Sequence, residues 1–136
     1  MIEVTGDLEA VLRIRRLVFI EEQNVSPADD LDGRDRDAIQ LLATDNGRAV
    51  GTARILLTGR DGKIGRVAVL KEARGKGIGK QLVRFAVKEV RKKGCRRAVL
   101  GAQTYAVGFY EDLGFNVSGT EFLDAGIPHR MMVKEL

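Results

Sequence analysis

Residues 74 to 80 read Arg-Gly-Lys-Gly-Ile-Gly-Lys, with three glycines at alternate positions between an apolar run and an amphipathic one. Glycine has no Cβ to block close approach and adopts positive φ freely, so successive N–H groups in such a turn can aim at one anion. A helix starting there adds about half a positive charge from its aligned peptide dipoles, and Arg74, Lys76 and Lys80 add whole ones. This chemistry suits a pyrophosphate. The turn is not a Walker loop, because GxxxxGK[ST] is absent. It also fails GxGxxG, because Lys80 stands where the third glycine after Gly75 and Gly77 is needed. No acidic residue lies about twenty positions further on to hold a ribose, which weakens any nicotinamide reading.

Other reactive residue types are few. The single cysteine, Cys95, cannot close an intrachain disulfide. With the single histidine, His129, it is too little for a zinc site of the Cys/His type, and no metal is predicted. Cys95 lies at a helix-to-strand turn with no histidine near it in sequence, so it reads as structural.

The elements that position these residues follow from pattern. Ile2 to Val4 suits a short strand, and Thr5 or Asp7 can cap a helix in which Leu8, Val11, Leu12, Arg15 and Val18/Phe19 recur at helical spacing, fading near Glu22. From Ser26-Pro27 to Asp37 there is no periodicity, which predicts a long loop or a short broken helix. Ile39 to Thr44 and Ala49 to Leu57 flank Asp45-Asn46-Gly47 and predict a hairpin. Lys63 to Leu70 predicts a third strand. Ile78, Leu82, Phe85/Ala86 and Val90 share one face of the helix after the glycine turn, and Gly94 is placed to end it. Arg97 to Ala102 predicts a buried strand, Thr104 to Leu113 a short helix, Phe115 to Ser118 a strand and Met131 to Glu135 the last strand. Strand, helix and strand in succession imply a parallel pair beside antiparallel hairpins, so the sheet is mixed. At 136 residues the chain suits one domain, residues 1 to 136, and no run approaches the roughly 18 apolar residues of a membrane span. Met1-Ile2-Glu3-Val4 lacks a secretory pattern, so the expected location is cytoplasmic.

Arg74-x-x-Gly77-x-Gly79 in this strand-turn-helix setting resembles the (Gln/Arg)-x-x-Gly-x-(Gly/Ala) signature of the GNAT N-acetyltransferase superfamily. Phe109-Tyr110-Glu111-Asp112-Leu113-Gly114-Phe115 is similar to its Tyr-x-x-x-Gly-Phe element. Three further stretches resemble the ElaA-like branch: Arg15 to Gln23, Ile64 to Val69, and Glu121 to His129. The resemblance implies a mixed α/β fold with a single central twisted sheet, a splayed parallel pair of strands and flanking helices. It also implies acetyl-CoA as cosubstrate, an amine acceptor as partner, and no metal.

On the same resemblance, pantetheine would pair with the strand at Val67, Ala68 and Val69. The pyrophosphate would rest on Arg74, Gly75, Lys76, Gly77, Ile78, Gly79 and Lys80, and a backbone N–H near Val69 would polarise the thioester carbonyl. Gln103, Ala106, Phe109 and Tyr110 complete the implied cofactor contacts. Tyr110 matches the general acid that quenches the departing thiolate. The base that deprotonates the acceptor is not identified. Glu22, Asp32 and His129 are the candidates on the substrate side, with Glu22 placed first by its position in relatives. Two departures stand out: Gln103 occupies a position where the superfamily often has Asn, and Gly101 one where the branch usually has Asn.

Charge is polarised. Residues 60 to 97 hold 14 Lys or Arg against three acids, a net +11, whereas Glu21 to Asp37 carries −5. The acidic stretch suggests a cationic acceptor. A nucleic-acid module is disfavoured because the basic residues lack interleaved aromatics, which make up only 5% of the chain. The second reading is a CoA-binding sensor or scaffold with weak turnover. A monomer and a homodimer both remain compatible with the sequence.

Overall fold

The computed structural model describes residues 1–136. Seven strands form one sheet in the order β1-β2-β3-β4-β5-β7-β6. Strand β1 (Ile2–Thr5) leads into α1 (Leu8–Arg15), which Asp7 caps by accepting from the Ala10 N–H. The helix does not continue as α to Glu22: Arg16–Glu22 widens into a π-helical segment. The acidic stretch contains a four-residue helix, α2 (Pro27–Asp30), and a 3₁₀ turn at Asp35–Asp37, in line with the expected broken helix.

Strands β2 (Ile39–Asp45) and β3 (Arg48–Thr58) pair antiparallel around Asn46 and Gly47, both at positive φ, the backbone that a tight two-residue hairpin requires. Strand β4 (Asp61–Val69) follows antiparallel to β3. Its ladder slips where Ala53 faces both Arg66 and Val67, and Arg66 adopts φ +51. An extra residue on one strand bends it and sharpens its twist.

Helix α3 (Ile78–Lys92) buries Leu82, Val83, Ala86, Val87 and Val90 against one sheet face, over Leu41, Ala53, Ile55 and Ile64. The approach is close: a Cβ on Gly62 would lie 2.4 Å from Val90 Cγ1. Helix α1 and the π-helical segment after it cover the other face, with Val11, Ile14 and Val18 packed on Leu42, Ala68 and Leu70. These opposite destinations for Leu41 and Leu42 are the period-two alternation of a strand buried on both sides.

Strand β5 (Arg97–Gln103) lies parallel to β4, but the ladder joins only Asp61–Lys63 to Arg97–Val99. Beyond that the two strands part, one running on to Val69 and the other to Gln103. The expected helix from Thr104 to Leu113 resolves into a 3₁₀ turn, Thr104–Ala106, followed by α4 (Val107–Glu111). The final hairpin is longer than its sequence suggests: β6 spans Asn116–Asp124 and β7 spans Ile127–Glu135, joined at Ala125 and Gly126, both at positive φ. Exposed polar residues along β6 hide the strand alternation that would have announced it. His129 therefore lies within the last strand, not before it. No helix is long and apolar enough to cross a membrane.

Candidate active site

The parting of β4 and β5 opens a groove of about 460 Å³. Its walls include Val67 from β4, Leu100, Gly101 and Gln103 from β5, Ala106 and Tyr110 beyond β5, and Phe122, His129 and Met131 from the last hairpin. The acidic loop closes one side with Asp29, Asp30 and Asp32. A second cavity of about 570 Å³ lies along α3 beside Leu113 and Lys134. It is lined by none of the residues implicated above.

The glycine turn begins α3. Gly75 and Gly77 sit at φ +83 and +79, and Gly77 caps the helix without a side chain. The first helical N–H bonded to Gly77 is that of Gln81, so the amides of Ile78, Gly79 and Lys80 have no helical acceptor and are available to an anion. Gly79 faces the Phe109 ring: its absent Cβ would sit 3.7 Å from Phe109 Cζ.

Arg74 is fixed by three contacts. Its Nη1 and Nη2 each donate to a different oxygen of Glu22 at 2.7 Å, and its Nε donates to the Val69 carbonyl at 3.0 Å. Those hydrogen bonds from Arg74 hold the Glu22 carboxyl below its ordinary range. Glu22 thus sits beside the glycine turn and outside the groove lining, as a weakened proton acceptor. Lys76 pairs with Asp45 at 3.2 Å.

Asp32 lines the groove, but its oxygens are committed. Arg54 donates to both, at 2.9 and 2.5 Å, and the Arg34 N–H to one at 3.1 Å. The Arg54 hydrogen bonds drive its carboxyl far below the ordinary range. Asp32 belongs to a wider ionic cluster. Arg15, fully buried on the apolar face of α1, reaches Asp30 at 3.2 Å and Asp35 at 2.6 Å, and Arg66 reaches Asp30 at 3.3 Å. Three arginines from three elements thus neutralise three aspartates of the loop. The acidity that would have attracted a cationic acceptor is consumed within the fold, so charge gives no support to that expectation. Sequence reasoning missed Arg54 and Arg66 as members of this site. The available signal was a charged residue inside each of two apolar strands.

Tyr110 is half-buried, edge-on to Phe109 and Phe115 with ring centroids at 5.0 and 6.1 Å. Its hydroxyl makes no hydrogen bond within the chain, and the residue lines the groove. Burial pushes the phenol up to about 12, with Tyr105 adding to the effect, so it stays protonated at neutral pH. Gln103 donates from Nε2 to Gln23 Oε1 at 2.9 Å, tying the end of β5 to the residue after the π-helical segment. His129 is 8% exposed, and its Nδ1 lies 2.7 Å from the Ile127 carbonyl. Val67, Gln103, Ala106, Tyr110, Asp32 and His129 therefore share the groove. Arg74 to Lys80 form the turn, with Val69 and Phe109 in contact with it at Arg74 and Gly79.

Residues 20–136 match the family model of an acetyltransferase (GNAT) domain. The uncharacterized N-acetyltransferase YjcF of Bacillus subtilis is 36% identical over 129 residues, covering 94% of this chain and 92% of its own. The crystal structure of Escherichia coli ElaA is 32% identical, covers 99% of this chain and 100% of its own, and superposes with a TM-score of 0.86. A GNAT family acetyltransferase from Elizabethkingia anophelis with acetyl-CoA bound shares the fold at 17% identity and a TM-score of 0.78, covering 100% of this chain and 97% of its own. With sequence, topology and the parted strands in agreement, the chain belongs to the GNAT acetyltransferase family, in the branch that contains ElaA, and is an N-acetyltransferase.

Proposed function

We propose that the protein binds acetyl-CoA in the cleft between β4 and β5 and transfers the acetyl group directly to a primary amine of a small molecule or peptide. The observation that carries this reading is the unzipping of the parallel pair after Lys63 and Val99, with the uncapped start of α3 at one end and Tyr110 along the groove. Pantetheine is peptide-like and can extend the unpaired edge of β4 at Val67 and Val69. The free amides of α3 suit the pyrophosphate. The relative from Elizabethkingia anophelis holds acetyl-CoA on the same fold, which supports this assignment.

Transfer of acetyl from sulfur to nitrogen needs a donor for the developing thiolate. With its phenol raised by burial and still protonated, Tyr110 is placed as the hydrogen-bond donor to the departing sulfur. Such a preorganised donor lowers the barrier without reorganisation at the moment of reaction. Glu22, bound to Arg74, acts on the cofactor side by holding that arginine beside the turn.

The test is calorimetric titration with acetyl-CoA followed by thiol release against a broad panel of primary amines. Binding with amine-dependent release is the predicted result. Binding with no release from any amine would favour a CoA sensor.

A further inference from the structure

Resting on the transfer reaction above, we infer that His129 is the base that deprotonates the acceptor amine. Three observations converge. First, the Ile127 carbonyl can only accept, so the 2.7 Å contact places a proton on Nδ1 and leaves the Nε2 lone pair available in the neutral ring. Nε2 makes no hydrogen bond within the chain, and His129 lines the groove. Second, strand register sets the ring where the chemistry must occur. His129 pairs with Gln103, at the end of β5 that borders the cleft, and with Phe122 on β6, whose ring lies 5.8 Å away and tilted by 32°. Third, glycine at position 101 puts no side chain of β5 against the ring: a Cβ there would lie 4.0 Å from His129 Cδ2, the carbon bonded to Nε2, and 3.6 Å from Phe122 Cζ.

The two carboxylate candidates, Glu22 and Asp32, are less suited. Glu22 is held by Arg74, and Asp32 by Arg54. The remaining titratable groups sharing the groove with His129 are Tyr105 after β5, Tyr110 on α4, Lys63 and Arg66 on β4, Asp29 and Asp30 in the acidic loop, and Asp124 before the hairpin turn. Arg34 and Arg54 also line it.

The step balances as follows. Nε2 takes one proton from the ammonium, and the freed lone pair forms the C–N bond at the thioester carbonyl. The C–S bond then breaks, its electron pair passing to sulfur beside the Tyr110 hydroxyl. The second proton lost by nitrogen goes to that thiolate, and the imidazolium discharges its proton to solvent. The products are the acetamide, CoA thiol and one proton.

The test compares His129→Gln and His129→Asn with wild type for kcat, kcat/KM against pH, acetyl-CoA affinity and melting temperature. The two amides differ in reach, so one can retain the contact to Ile127 if the other unfolds. The expected result is a fall in kcat of about a hundredfold or more, with loss of the acid-side limb of the pH profile and acetyl-CoA affinity kept. A folded variant within about threefold of wild type, or one that keeps the acid-side limb, would overturn the assignment. If wild type itself releases no thiol with any amine, the transfer reading fails and this inference falls with it. If wild type is active and the variants match it, only the inference fails.

Discussion

In the proposed transfer Tyr110 is a hydrogen-bond donor and His129 a proton acceptor, parts that follow from their different surroundings. Burial keeps the phenol protonated, whereas a carbonyl fixes the imidazole tautomer with one nitrogen open. Tyr110→Phe removes one hydroxyl and leaves the ring contacts with Phe109 and Phe115. It should lower kcat about a hundredfold while changing acetyl-CoA affinity by less than about threefold, as steady-state kinetics and calorimetry would show. Unchanged turnover would remove Tyr110 from the reaction. Its place beside the groove agrees with the family element that Tyr110 to Phe115 resembles. The loss of Glu22 as a convincing base was not legible in the sequence, because its partner Arg74 lies 52 residues away and no local pattern joins them.

Among the elements, the turn between β4 and α3 carries the proposed pyrophosphate site. Gly77 at φ +79 lets the helix begin without a side-chain cap, and a Cβ there would meet no atom within 4 Å. Gly77→Ala should therefore act through backbone strain, about 1–2 kcal/mol, and not through a clash. The expected outcome is a fold that survives, with acetyl-CoA binding weakened about tenfold or more as the amides turn away, measured by titration. This element could be read from sequence because glycine spacing is local. The bulge at Arg66 could not, since it depends on the slip between β3 and β4. The β6–β7 hairpin was underestimated because exposed strands carry little hydrophobic alternation, although Ala125-Gly126 marked its turn.

Across the whole molecule, the ionic cluster ties the acidic loop to α1, β3 and β4. Removing one partner from a buried ion pair leaves the other charge uncompensated. Arg54→Met should destabilise the protein by about 3 kcal/mol in urea at neutral pH. The same cluster sets the acid response. Asp32 is held low chiefly by Arg54. Asp35 is raised by burial, but the Arg15, Gln40 and Arg54 contacts outweigh this and lower it. Carboxyls depressed on folding contribute stability that is present above their unfolded value, near 3.9, and is lost as pH falls through their folded values. Urea midpoints should therefore drop as pH goes below about 4, and drop less in Arg54→Met. The order of elements was legible at this scale, because strand, turn and helix signals are local. The cluster was not: Arg15 appeared only as a charged residue in an apolar stripe, and its partners lie 15 and 20 residues away.

In the proposed complex the parted strands and the glycine turn act together on one ligand. Calorimetric titration of the wild-type chain with acetyl-CoA, beside acetyl-pantetheine lacking the nucleotide, tests this most directly. Acetyl-CoA should bind in the micromolar range and the truncated thioester at least about a hundredfold more weakly, because the turn holds the pyrophosphate. Absence of heat with millimolar acetyl-CoA, or equal affinity for the two compounds, would contradict it.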